Sequence, residues 1–196
     1  MAKQDLNKIF LSASIPYHDR DKKFYNTADI IAIRDAVRAL ATVVIPKAHL
    51  VWGGHPSITP LIRFVTERMK VDIKKHVTLY QSRYFEERFP VDNFAFETIR
   101  LTEKAKGLKE SIEIMRNSMF EENDFRVGIF IGGMEGILDE YEMLIKKYPN
   151  VKILPIASTG GAARILFNRI KPQPDIKLVN DYAYMALFKD LLSEYI

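Results

Sequence analysis

Between residues 128 and 142 the chain reads GIFIGGMEGILDEYE, an apolar run closed by the pair Gly132 and Gly133, then a third glycine, Gly136, and a carboxylate, Glu140. Bare backbone at a strand-to-helix turn exposes N–H groups that bind anions. A carboxylate just behind it accepts hydrogen bonds from sugar hydroxyls or polarises a water. The same carboxylate also gains about 0.3–1 kcal/mol from the dipole of a helix starting there. Because it would repel a phosphate at that N-terminus, a ribose hydroxyl or a water is its expected partner. A phosphorylated sugar would account for both the glycines and the acid.

Three other turns have a similar make-up: SAS (Ser12 to Ser14), GGHPS (Gly53 to Ser57) and STGG (Ser158 to Gly161). Singly, each is explained by a glycine relieving a tight turn or a serine capping a helix. Together they form a cluster of N–H donors, with the phosphates expected at GGHPS and STGG. The expected ligand-binding set is Ser12, Ser14, Gly53, Gly54, His55, Ser57, Gly132, Gly133, Gly136, Glu140, Ser158, Thr159, Gly160 and Gly161, with Arg83 and Arg164 as cations. Tyr84 would add an aromatic face beside Arg83.

These turns must be held by strands and helices, and the pattern supplies them in alternation. KIFLSAS, HLVW, HVTLYQ, FETIRLTE, FRVGIFI and VKILPIA read as strands. ADIIAIRDAVRALATVVI carries apolar residues at helical spacing, with Asn26 or Thr27 as its expected cap and Pro46 as its stop. SITPLIRFVTERMK, LKESIEIMRNSMFEE, GILDEYEMLIKKY, GAARILFNRI and DYAYMALFKDLLSEYI follow as helices, the last packing on the sheet or on a second subunit. The stretch SRYFEERFPVDNFA carries neither period. Near-continuous apolar strands alternating with amphipathic helices imply an α/β fold, a Rossmann-like doubly wound, mostly parallel sheet with helices on both faces. In that fold the turns at the carboxyl ends of the strands share one edge, where ligands bind.

Composition narrows the chemistry. The chain has 196 residues, 47% of them hydrophobic, which suits a single domain over 1–196. Its 29 basic and 25 acidic residues give a net charge of +4, too small and too dispersed to favour nucleic acid. With no cysteine there is no thiol nucleophile, disulfide or thiolate zinc site, and the four histidines lack metal-ligand spacing, so no metal is expected. No apolar run approaches the roughly 20 residues that cross a bilayer, and the N-terminus shows no signal-peptide pattern. A cytoplasmic protein without a membrane partner is expected.

The segments FLSAS, VWGGHPSITP, GIFIGGMEGILDEYE and KILPIASTGGAARILF resemble the SLOG superfamily, the Rossmann-like group that includes lonely guy phosphoribohydrolases, DNA-processing proteins and the ligand-sensing domains of melastatin-type TRP channels. The last two segments are most similar to the C-terminal SLOG domain of the Thoeris antiphage effector. The resemblance implies a pocket for a nucleotide-derived molecule such as ADP-ribose, a cyclic isomer of it, or NAD, with no further cofactor. It implies roles for Gly132, Gly133, Gly136 and Glu140 as the family's glycine pair, later glycine and glutamate. The hydrolase motif runs glycine, glycine, any residue, glycine, threonine, two residues, glutamate. Here one extra residue precedes Gly136, and Ile137 stands where the threonine would be. Ile137 cannot orient a water, so sensing is expected ahead of N-glycoside hydrolysis by Glu140. A sensor needs an output, which implies a separate effector protein, a homo-oligomer that rearranges, or sequestration of the signal, in nucleotide signalling or antiviral defence.

Overall fold

The computed structural model describes residues 6–19, 21–70 and 72–196. Residues 1–5, part of the stretch read as lacking a signal peptide, lie outside these. Six strands, β1 (Lys8–Ser14), β2 (His49–Trp52), β3 (Val77–Ser82), β4 (Ile99–Thr102), β5 (Phe125–Gly132) and β6 (Lys152–Ile156), form one sheet in the order β4-β3-β2-β1-β5-β6. Every pairing is parallel. The chain winds outward from β1 to β4, returns across the sheet, and adds β5 and β6 on the other side. Winding therefore reverses between β1 and β5, the position where such sheets open a crevice.

Strand alternation sorts the core into two layers. Ile9, Leu11, Leu50, Val77 and Leu79 face one side, where they pack with Ile33, Val37, Leu40 and Val44. Those four belong to helix α2 (Ile30–Val44), the long helix after the short α1 (Lys22–Tyr25). Phe10, Val51, Tyr80 and Phe130 face the other side, against Met115, Met119, Phe120 and Leu144. These come from α4 (Leu108–Glu121) and α5 (Glu135–Lys147), α4 following α3 (Thr59–Thr66) in the chain. The remaining helices are α6 (Gly161–Arg169), α7 (Lys177–Asn180) and α8 (Tyr184–Leu191).

The local details depart from the sequence reading in instructive ways. Asp29, rather than Asn26 or Thr27, caps α2, its carboxylate accepting from the N–H of Ala32 at 2.9 Å. The terminal amphipathic stretch shortens to α8, whose Tyr184, Leu187 and Phe188 are buried in the same layer as α2. The stretch after β3 forms two 3₁₀ turns, Arg83–Arg88 and Val91–Ala95. Ser82 starts the first by accepting the N–H of Tyr84 at 3.3 Å, and Pro90, which has no N–H to give, separates the two. Among the described residues no helix is long and apolar enough to cross a membrane.

Two buried phenols make the fold sensitive to alkali. Burial pushes Tyr80 up to about 12, helped by the hydrogen bond its hydroxyl donates to the Glu122 carboxylate at 2.8 Å. Burial does the same to Tyr184, also about 12. An unfolded tyrosine ionises near pH 10, so only the unfolded chain releases these protons between about pH 10 and 12. Stability is thus intact below pH 10 and falls as the pH approaches 12. In an alkaline titration read by tyrosinate absorbance and circular dichroism together, the exposed tyrosines should ionise first without loss of structure. The last ones should ionise only as the dichroism collapses.

Candidate functional site

The carboxyl ends of β1, β2, β3 and β5 frame a cleft of about 490 Å³, within the range of small-molecule sites, roughly 300–1,000 Å³. It is lined at one side by Ser12 and Ser14 from the end of β1 and by the turn Gly53, Gly54 and His55 after β2. The first turn of α5 contributes Glu135 and Gly136 and has no side-chain cap. Helix α4 closes a third side with Met115 and Arg116.

Glu140 lies in this cleft with its side chain 15% exposed. One carboxylate oxygen accepts a hydrogen bond from the Ser12 hydroxyl, and the other accepts from Arg116 Nε at 3.1 Å. Ser12 can reach Glu140 because Ser12 and Phe10 share the face of β1 that α5 covers. Gly53 leaves the neighbouring space open, since a Cβ there would stand 3.2 Å from Met115 Cε and 3.9 Å from Glu140 Oε1. Arg116, 13% exposed, also donates to the Gly136 carbonyl at 3.0 Å and to the Asp139 carboxylate at 3.2 Å. With its fork committed to three acceptors, Arg116 neutralises and orients Glu140; it is a positioning residue. A carboxylate has about four lone-pair sites, so Glu140 retains acceptor capacity toward the cleft.

His55 is oriented by Ser57. The Ser57 N–H points at His55 Nδ1 at 3.3 Å, and the Ser57 hydroxyl lies 2.8 Å from that nitrogen. Nδ1 is therefore the acceptor, and the neutral ring carries its proton on Nε2. Ser57 does not line the cleft itself; its Oγ also accepts the N–H of Ile15 at 3.3 Å, tying the first turn to the second. The Tyr17 ring stands 6.1 Å from that of His55, tilted by 35°.

The other sequence-derived candidates lie elsewhere. Gly132 N–H donates to Thr159 Oγ1 and Gly133 N–H to the Ser14 carbonyl, both at 2.8 Å. In the STGG turn, Ser158 bonds the Tyr184 hydroxyl at 3.0 Å, Gly160 N–H donates to the Ala157 carbonyl at 3.0 Å, and Gly161 N–H donates to Thr27 Oγ1 at 3.2 Å. The Thr159 carbonyl accepts from Asp29 at 3.1 Å. These groups clasp α2, β5 and α6 together and do not line the cleft. Arg83 pairs with Glu86 at 2.7 Å and Glu103 at 3.2 Å, and Arg164 is exposed on α6; neither lines the cleft.

The cations that do line it, Arg116 and Arg88, were not singled out in the sequence. Arg116 borders the buried stripe of Met115 and Met119, where a charge needs a partner. Arg88 sits at the exposed rim and makes no ion pair among the described residues. Phe85 and Phe89, from the stretch without a period, form the far wall with Gln81. Among the described residues no group of three or more histidines and acids could hold a metal.

Compared with known proteins, residues 23–192 match the model of the SLOG cluster3 family. The X-ray structure of TM1055, a structural genomics target, is 13% identical, with 83% of this chain and 81% of that chain covered at a TM-score of 0.46. No curated protein matches at a significant level.

Proposed function

The chain belongs to the SLOG cluster3 family, matched over residues 23–192, and from that premise we propose that its cleft binds a nucleotide-derived small molecule as a signal. The observation that carries this reading is the Glu140 carboxylate, held by Ser12 and Arg116 inside the cleft, beside the reversal point of the sheet. A fixed acceptor of that kind suits the hydroxyls of a ribose. The phosphate is received by the turn Gly53–Gly54–His55 and by Arg88 at the rim, away from the carboxylates of α5. ADP-ribose, a cyclic isomer of it, or NAD fits this description, and the resemblance of the last two segments to the Thoeris effector supports a role in antiphage defence or related signalling. Ile137, apolar and 3% exposed, offers no hydroxyl to orient a water, which favours capture over turnover. The output is then a change in a separate effector or in self-assembly. Calorimetry with ADP-ribose, cyclic ADP-ribose isomers, NAD and AMP should give saturable binding by at least one, weakened tenfold or more by Glu140→Ala, about the worth of a hydrogen bond to a charged group. Failure of all of them at millimolar concentration would remove the proposal.

A second reading rests on the same carboxylate. An acid fixed from both sides can stabilise an oxocarbenium-like centre or activate a water, giving nucleotide N-glycoside hydrolysis. Incubation with nucleoside monophosphates and NAD distinguishes the two. Free base that disappears in Glu140→Gln supports the hydrolase, and bound but intact nucleotide supports the sensor.

A further inference from the structure

On β3 the side chains of Val77, Leu79 and Gln81 alternate onto one face, so a polar amide occupies a position the strand pattern reserves for an apolar residue. Gln81 is only 5% exposed and lines the cleft. Among the described residues its amide makes no hydrogen bond. Space has been kept for it: a Cβ on Gly54 would lie 2.1 Å from Gln81 Nε2 and 2.7 Å from Cδ. Gly54 also has φ of +59°, which a side chain would disfavour. Neither the nitrogen nor the oxygen of the Gln81 amide is fully enclosed without a partner, so the amide opens onto the cleft with its donor and acceptor free for a ligand.

We propose that Gln81 reads the base of the bound nucleotide. Its carbonyl and NH₂ stand side by side, matching a base edge that presents one donor beside one acceptor, as the amino group and ring nitrogen of adenine do. Trp52, Phe85 and Phe89 surround this end of the cleft with aromatic surface, where a base has faces to meet and water competes little. β3 lies two strands from β1, roughly 10 Å away at ordinary strand spacing. Measured at Ser12, which holds Glu140, that spacing is about the extent of a nucleoside. The inference rests on the nucleotide reading above and adds the part of the ligand that confers selectivity.

The test compares AMP with purine riboside 5′-monophosphate, which lacks the amino group, on the wild-type chain and on Gln81→Leu by calorimetry. The wild type should prefer AMP by about tenfold to a hundredfold, the discrimination of a bidentate pair. Gln81→Leu should lose most of that preference. Its melting temperature without ligand should hold, because the amide makes no hydrogen bond within the fold; a residue serving only the fold would show a fall. Equal preference in the two proteins overturns the inference while leaving nucleotide binding intact. Wild-type protein that binds AMP, ADP-ribose and NAD not at all overturns both.

Discussion

Gly160→Ala should lower the melting temperature by at least about 8 °C or prevent folding, taking a loss above about 4 kcal/mol at roughly 2 °C per kcal/mol for a chain of this size. Gly160 has φ of 70° and ψ of −153°, a region essentially confined to glycine. A Cβ there would stand 1.7 Å from the Thr27 carbonyl oxygen, which is backbone and cannot swing aside. That backbone is itself fixed, since Gly161 N–H bonds Thr27 Oγ1 and Asp29 N–H bonds the Thr159 carbonyl. One methyl group therefore opens the clasp joining the start of α2 to the end of β6. Gly107→Ala is the control: a Cβ there meets nothing within 4 Å, so the expected change is below about 1 kcal/mol. Thermal melts by circular dichroism compare the two, and equal melting temperatures would contradict the clasp.

Arg116→Ala should cost about 3 kcal/mol, or about 6–12 °C, and weaken nucleotide binding at least tenfold. The guanidinium supplies one of the Glu140 carboxylate's two hydrogen bonds and also serves Gly136 and Asp139. Its removal leaves Glu140 charged, sheltered and held by Ser12 alone. Arg116→Lys should restore only part of the loss, because a compact ammonium cannot reproduce a fork with three acceptors. Asp139 is 63% exposed, so Asp139→Asn should change stability by less than about 1 kcal/mol. If Arg116→Lys behaved as wild type, charge alone would suffice and the orienting role would fall.

The sheet was legible because its cause is local. Runs such as GIFI and KILPI are apolar on both sides, as only strands covered on both faces need be, and the turns fall where glycine and serine follow them. The use of each turn was not legible, because it depends on what the chain brings there from a distance. Gly161 and Thr27 are 134 positions apart, and their bond makes this turn a joint of the fold. Arg116 and Glu140 are 24 positions apart on separate helices, with no shared period to betray them. Gln81 could have been found: a polar residue in phase with Val77 and Leu79 signals an inward amide before any coordinates exist.

The two sides of the cleft are anchored very differently. Ser12, Gly53 and Glu140 are bound into strand ends and helix starts, where exchange would disturb the sheet. The far wall is an excursion of 3₁₀ turns, secured at its surface by pairs such as Arg63 with Asp92 at 3.2 Å and Arg83 with Glu103 at 3.2 Å. Partly exposed pairs of that sort carry little stability, and loops over a rigid scaffold tolerate change. Relatives of this chain can thus diverge at the cleft by redrafting the β3–β4 excursion alone, inheriting the half built on Ser12 and Glu140 unaltered.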